Sequence, residues 1–364
     1  MCSESNWLVR VMRCACWLLL VVAGTGCDAI KSVTDKQATP DTNPAPTAPT
    51  APTTQAPATP APAEPVAPAP VAKTPQQIID EFLALPSVEK RDETLKQVAE
   101  LKEGLDAITT LDLTRSGVSD EGMKSLLAFP KLAELNLSDT RVSNAGLASV
   151  AEVKSLRALK VANQRGVDDL GIKALAPLKD LESLTVNGCA VTDTVLPILA
   201  EFEGLQVLNL SGNTDIYGRD FKVLASQGAF RNLRELHVGG SRFGYYGLEQ
   251  INKLSKLEVL RASGCELAGA AINGLAGCDR LKVLDLSRNL LQDDNIKGVS
   301  RLKGLEELRL GGTNVTDDCL NSLKTMKNLK ILDLGETRVT EKAIRLLKEK
   351  FLKDTEILAL GQKF

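Results

Sequence analysis

Leucine recurs at positions 1, 4 and 6 of a unit about 24 residues long, written about ten times between Ile108 and Asp354. The copy from Leu305 to Asn328 reads LEELRLGGTNVTDDCLNSLKTMKN. Its Leu305, Leu308 and Leu310 stand where Leu132, Leu135 and Leu137 stand in one other copy, and Leu281, Leu284 and Leu286 in another. The step of two from position 4 to position 6 predicts a strand with both leucines on one face. Position 11 is apolar, as in Val118, Val142, Val191, Phe243, Leu267, Leu291, Val315 and Val339. Ser119-Asp120, Thr192-Asp193, Thr316-Asp317 and Thr340-Glu341 then predict a helix start. The hydroxyl can accept from an unpaired helical N–H, and the acid favours the positive end of the helix. Beyond that point the apolar step becomes three, as in Leu320, Leu323 and Met326 or Leu248, Ile251 and Leu254. This predicts a short helix or 3-10 segment. Each unit is strand, turn, short helix, turn. None can bury its apolar face alone, so the units must stack.

Over residues 108–360 this array resembles the leucine-rich repeat family. The resemblance implies an α/β solenoid of about ten repeats, curved, with a parallel β-sheet on its concave face and short helices on its convex face. The detailed pattern, with Thr, Asn or Cys at position 9 followed by Val-Thr-Asp, is similar to bacterial 24-residue repeats and also to the repeats of F-box adaptor proteins. The second likeness implies, as an alternative, a substrate adaptor of a ubiquitin ligase. Residues 74–107 do not supply an F-box, and the chain's beginning argues for export instead.

That beginning has Arg10 and Arg13 ahead of an apolar run from Cys14 to Ala23, then Gly24-Thr25-Gly26-Cys27. A short apolar run after positive charge, ending in small residues, predicts a secretory signal over residues 1–27 rather than a spanning helix. Its end resembles the bacterial lipoprotein signal, which implies lipidation of Cys27; Gly24 stands where leucine is usual. Met12 offers a second start. An ordinary cleaved signal is the alternative. Asp28 resembles an inner-membrane retention residue. Residues 28–73 form a Pro/Ala/Thr-rich tether, with eleven prolines between Pro40 and Pro70. Such a segment buries no core and favours extended polyproline II, reaching roughly 100 Å at ~3.1 Å per residue. Thr74-Pro75-Gln76-Gln77 predicts a capped helix with Ile78, Ile79, Phe82 and Leu83 on its apolar stripe, stopped by Pro86. Ser87 is expected to cap a second helix carrying Leu95, Val98, Leu101 and Leu105. Residues 74–107 are thus the N-terminal cap of a repeat domain over 108–364. Ile357, Leu358 and Leu360 begin a further strand, whose open edge is either shielded by Gly361–Phe364 or available for self-association.

Formal charge is −2 with both signs interspersed and no basic block, which argues against nucleic acid as a partner. Of eight cysteines, Cys2, Cys14 and Cys16 fall in the signal. Cys189 and Cys265 both fill position 9, three repeats apart, so at about 4.8 Å per strand they lie roughly 14 Å from each other, beyond disulfide reach. With Cys278 and Cys319 they read as small buried side chains.

No metal-ligand spacing, phosphate loop or nucleophile elbow appears, and no cofactor is implied. His237, the single histidine, sits at position 5 of its unit and should face outward from the sheet; a hydrolase built on it is the remaining catalytic alternative. The concave face offers positions 3, 5 and 7. Position 5 reads Asp112, Asn136, Lys160, Thr185, Asn209, His237, Arg261, Asp285, Arg309 and Asp333, and position 3 adds Glu134, Glu235 and Glu307. One copy departs from the length: that beginning at Leu205 runs 28 residues, and around it fall Tyr217, Tyr245 and Tyr246, all the tyrosines of the chain. Insertions map to loops on one face and tyrosine is enriched in binding hot spots. Tyr217, Tyr245, Tyr246, His237, Arg261, Asp285, Arg309 and Asp333 are therefore the candidate contacts with a protein partner. The expected function is a non-catalytic protein-binding module on a lipid-anchored exported protein, the alternative a self-associating envelope protein.

Overall fold

The structure, a computed structural model, describes residues 72–244 and 246–364. The signal, Cys27, the tether through residue 71 and Tyr245 lie outside the described residues. Positions 3 to 5 of successive units form β1 Thr110–Asp112, β2 Glu134–Asn136, β3 Ala158–Lys160, β4 Ser183–Thr185, β5 Val207–Asn209, β6 Glu235–His237, β7 Val259–Arg261, β8 Val283–Asp285, β9 Glu307–Arg309, β10 Ile331–Asp333 and β11 Glu356–Ala359. These pair in chain order and in parallel, equivalent position against equivalent position, as with Leu284 against Leu308. The position-4 leucine is buried and its neighbours half-exposed. With positions 1, 6 and 11 it forms one continuous apolar core running the length of the array; each fully buried leucine contributes about 2 kcal/mol. This is the leucine-rich repeat solenoid that the pattern implies.

The convex side carries α1 Pro75–Ala84, α2 Asp92–Ala99, α3 Asp120–Met123, α4 Asn144–Val150, α5 Asp169–Ala174, α6 Val195–Leu199, α7 Phe221–Ser226, α8 Asp293–Val299, α9 Leu320–Leu323 and α10 Glu341–Lys350. Thr74 caps α1 as expected, and Gln77 completes a reciprocal box with it. The expected second helix begins later than Ser87. Ser87–Glu89 is a single 3-10 turn, α2 starts at Asp92, and Leu105 belongs to a separate turn, Leu105–Ala107. Leu83 is exposed, whereas Ile79 and Phe82 are buried in the core and Ile78 packs against it. Two repeats replace the helix by 3-10 segments, Gly247–Lys253 and Gly269–Leu275. These approach so closely that a methyl on Gly274 would lie 1.8 Å from the Leu248 carbonyl oxygen.

Every position-8 residue from Arg115 to Glu336 is left-handed, whether glycine, as at Gly240 and Gly312, or not, as at Arg288 with φ 54°. The turn out of the strand imposes that conformation, and glycine alone adopts it without a Cβ penalty.

The acids after the helix-start hydroxyls at Asp120, Asp193 and Asp317 serve the next repeat, whereas Glu341 bonds Arg345 of its own helix. Asp120 accepts from the Ser143 N–H at 2.7 Å and from its hydroxyl at 2.6 Å. Asp293 does the same for Thr316, and Asp317 for Thr340. Asp92 of α2 holds Ser119 in this way, so the cap docks through the same bond as a repeat. The hydroxyls do cap their own helices, as expected at Ser119, Thr316 and Thr340; the main partners of Asp120 and Asp317 lie one coil further on. A second run of bonds lies at position 9. Asn289 donates to the Ala262 and Leu286 carbonyls and accepts from the N–H groups of Cys265 and Leu267. Cys265 and Cys189 take the same place as weak thiol donors, 3.0 Å from the Val238 oxygen and 3.1 Å from the Val161 oxygen.

At the far end Gln362–Lys363 forms β12, antiparallel to β11, and Phe364 exchanges backbone bonds with Ile357. The tail therefore lies along the outer edge of β11.

Candidate binding face

Strand pairing turns position 5 into a row across the sheet. His237 lies against Arg261, Arg261 against Asp285, Asp285 against Arg309 and Arg309 against Asp333. Beside it runs the position-3 row, Val207, Glu235, Val259, Val283, Glu307 and Ile331. Glu307 is the hub between the rows: its Oε1 accepts from Arg309 Nε at 2.6 Å and lies 3.8 Å from Arg261 Nη1. At 16% side-chain exposure it is shielded by the two guanidiniums, which stay more open. Both arginines are thus held with their remaining N–H groups available to an acceptor on a partner.

Asp285 and Asp333 are less free than the sequence implies. Their Oδ1 atoms accept from the N–H two residues ahead, Ser287 and Gly335, at 3.0 and 2.9 Å. Such Asx-type bonds fix the turn after the strand. His237 Nε2 lies 3.3 Å from Glu235 Oε2 on its own strand. Among the described residues no serine or cysteine stands in hydrogen-bond contact with the ring.

The half-exposed Val207, Val259 and Val283 were missed among the candidates, though the strand period places them beside the charged row. Val259 and Val283 are neighbours in the position-3 row while Glu235 separates them from Val207, so the face mixes apolar and charged side chains, as protein-binding patches do.

Tyr217 and Tyr246 stand elsewhere. The N–H groups of Tyr217 and Gly218 bond Asp193 at 2.7 and 2.8 Å, so Tyr217 occupies the place that a capping hydroxyl holds in other repeats. It belongs to the helix-start edge of the coil and not to the sheet face. Its hydroxyl accepts from Arg242 Nη1 at 2.6 Å, and Arg219 stacks 4.9 Å from its ring and 6.0 Å from that of Tyr246. The candidates therefore divide between two surfaces. Phe221, Phe230 and Phe243 pack below as a buried aromatic group.

A third concavity, about 800 Å³, opens at the strand-start edge. Its charges are largely paired with one another, Arg157 with Asp180 at 3.3 Å and Arg231 with Glu203 at 3.1 Å. Burial pushes the Cys265 thiol up to about 11 and the Cys278 and Cys319 thiols up to about 12, so these remain protonated. Among the described residues no group of His, Cys, Asp and Glu is placed to hold a metal, and no helix is long and apolar enough to cross a membrane.

A family model for the leucine-rich repeat matches residues 108–127. No curated protein matches the chain. Among solved structures it is similar to an internalin from Listeria monocytogenes, at 17% identity and a TM-score of 0.51, over 78% of this chain and 96% of that one. It is also similar to the mouse RP105/MD-1 complex, at 20% identity and a TM-score of 0.54, over 74% of this chain and 48% of that one. The chain thus spans about half the length of the latter. These likenesses establish the repeat fold.

Proposed function

We propose that this solenoid is a non-catalytic protein-binding module, displayed from a membrane by a lipid on Cys27. The observation that carries the reading is the pair of in-register rows over β6 to β10. The half-exposed Val259 and Val283 lie beside the charged row that holds Arg261 and Arg309, both oriented by Glu307. That arrangement supplies burial, direction and specificity to a folded partner without any group poised for bond chemistry. The full chain is used as bait in envelope extract, beside Arg261→Glu/Arg309→Glu and Tyr217→Ala/Tyr245→Ala/Tyr246→Ala variants. A partner retained by the parent and by the tyrosine variant, and lost by the arginine variant, places binding on the sheet face. Loss with the tyrosine variant alone moves it to the helix-start edge, and an unchanged set with both refutes a surface-specific module. Labelled fatty acid entering the parent but not Cys27→Ser tests the anchor. Self-association through β11 would require β12 to leave, since its residues lie along that edge; sedimentation of the chain over a concentration series decides it.

A further inference from the structure

Seven cations gather at the helix-end edge of the last repeats. Arg301 and Lys303 follow α8, Lys324 and Lys327 follow α9, and Lys348, Lys350 and Lys353 lie at and beyond the end of α10. Each group ends its own coil, so stacking sets side by side residues that the sequence keeps some two dozen positions apart. Contacts join them: Lys303 Nζ donates to Thr325 Oγ1 at 3.0 Å, and Lys327 Nζ donates to the Phe351 carbonyl at 2.8 Å. The Lys324 and Lys327 ammoniums stand 5.2 and 5.6 Å from the centre of the Phe351 ring. Lys348 donates to the Thr355 carbonyl. Among the described residues none of the seven has a carboxylate partner, whereas nearby Lys297, Lys330 and Arg345 are paired with Asp294, Glu306 and Glu341. Glu349 and Asp354 are the acids of the same segment, so the edge is strongly positive although the whole chain carries −2.

We propose that this edge docks on the surface of an anionic lipid bilayer. Six of the seven cations are lysines, compact point charges without the fork with which arginine grips one phosphate or carboxylate. They suit a smeared negative surface, and their number matches the basic clusters that hold proteins to anionic leaflets. Phe351, half-buried beside two ammoniums, supplies apolar contact at the headgroup level. The sheet face, on another side of the coil, stays open.

The test uses the full chain carrying Cys27→Ser, so that no acyl group contributes. It is sedimented with vesicles of phosphatidylcholine alone and of phosphatidylcholine mixed equally with phosphatidylglycerol. The apolar run near the N-terminus acts alike on both. Expected is a marked preference for the anionic vesicles that fades with added salt. Reversal at Lys303, Lys327, Lys350 and Lys353 to Glu should remove it, a loss on the order of a hundredfold or more at roughly fivefold per lysine. The corresponding Gln variant serves if the reversal unfolds the chain, as read by circular dichroism. Equal retention on both vesicles, or a preference that survives in a folded variant, overturns the proposal. So does binding of duplex DNA through the same lysines without binding to vesicles, which would make the edge a nucleic-acid surface.

Discussion

Gly122→Ala separates two arguments about the same position because they predict opposite signs. Gly122 lies in α3, where replacing glycine by alanine should stabilise a helix by about 1 kcal/mol. Yet the space that the methyl would enter is taken. It would sit 2.2 Å from Asp92 Oδ1 and 3.1 Å from Asp92 Cγ. That carboxylate accepts the Ser119 N–H at 2.8 Å and the Ser119 hydroxyl at 2.5 Å, joining the N-terminal cap to the first repeat. Displacing it breaks two charge-assisted bonds and strands a half-buried N–H, a loss of about 2–3 kcal/mol. The net expectation is destabilisation by roughly 1–2 kcal/mol, the bond loss exceeding the propensity gain. Repeat arrays unfold in parts, so urea titration is paired with hydrogen exchange over α1 and α2, where the loss should concentrate. Asp92→Ala removes the obstacle, so Gly122→Ala made on that background should be neutral or stabilising. A single Gly122→Ala substitution that raises stability would refute the reasoning.

Asn289→Ala should lower stability by about 3 kcal/mol in urea titration, since four buried backbone groups lose their amide partner; a change below 1 kcal/mol counts against the position-9 run. Peptide-mapped alkylation of the native protein near neutral pH should leave Cys265, Cys278 and Cys319 unmodified until urea is added, because burial holds all three thiols well up. Asp112 is pushed up by burial, but the Thr114 hydroxyl and N–H, with Lys90 and Lys160, outweigh this and hold it below the usual carboxylate range. Its stabilisation is therefore present above the unfolded value of about 3.9 and lost as pH falls through the lower folded value. The stability difference between the parent and Asp112→Asn should shrink between neutral pH and that range, and a difference that grows on acidification is the contrary result.

The repeat, its register and the inward leucines are legible in the sequence because strand and helix periods are local, and Leu308 needs only Leu305 and Leu310 to declare its face. What the sequence hides is contact between equivalent positions of successive coils. Asp120 reads as a charge at its own helix N-terminus, and its partner Ser143 is adjacent only once the strands stack. A signal was present in Gly122, Gly146 and Gly171, each three residues past Ser119, Ser143 or Asp168. A methyl there would meet the side chain of Asp92, Asp120 or Asn144. The basic edge was hidden for the same reason, since no block appears along the chain. The commitments of Tyr217, to Asp193 through its N–H and to Arg242 through its hydroxyl, were hidden in the same way.

The same bonds show where the array is stapled and where it is not. Acid-to-hydroxyl staples run through Asp92, Asp120, Asp169, Asp293 and Asp317. In the units beginning at Leu233 and Leu257 the acid's place is filled by Tyr245 and Gly269. Neither residue carries a carboxylate; across these two seams Asn252 Nδ2 donates to the Ala276 carbonyl, the Leu290 N–H donates to the Leu267 carbonyl, and the 3-10 segments pack closely, as at Gly274 against Leu248. Dispersion between backbones is strong only at short range and has little directional preference, whereas a paired carboxylate fixes both distance and register. The seams underlie β6, β7 and β8, which carry His237, Arg261 and Asp285. The stretch of the convex layer that lacks an acid at the helix start therefore lies behind the centre of the candidate face.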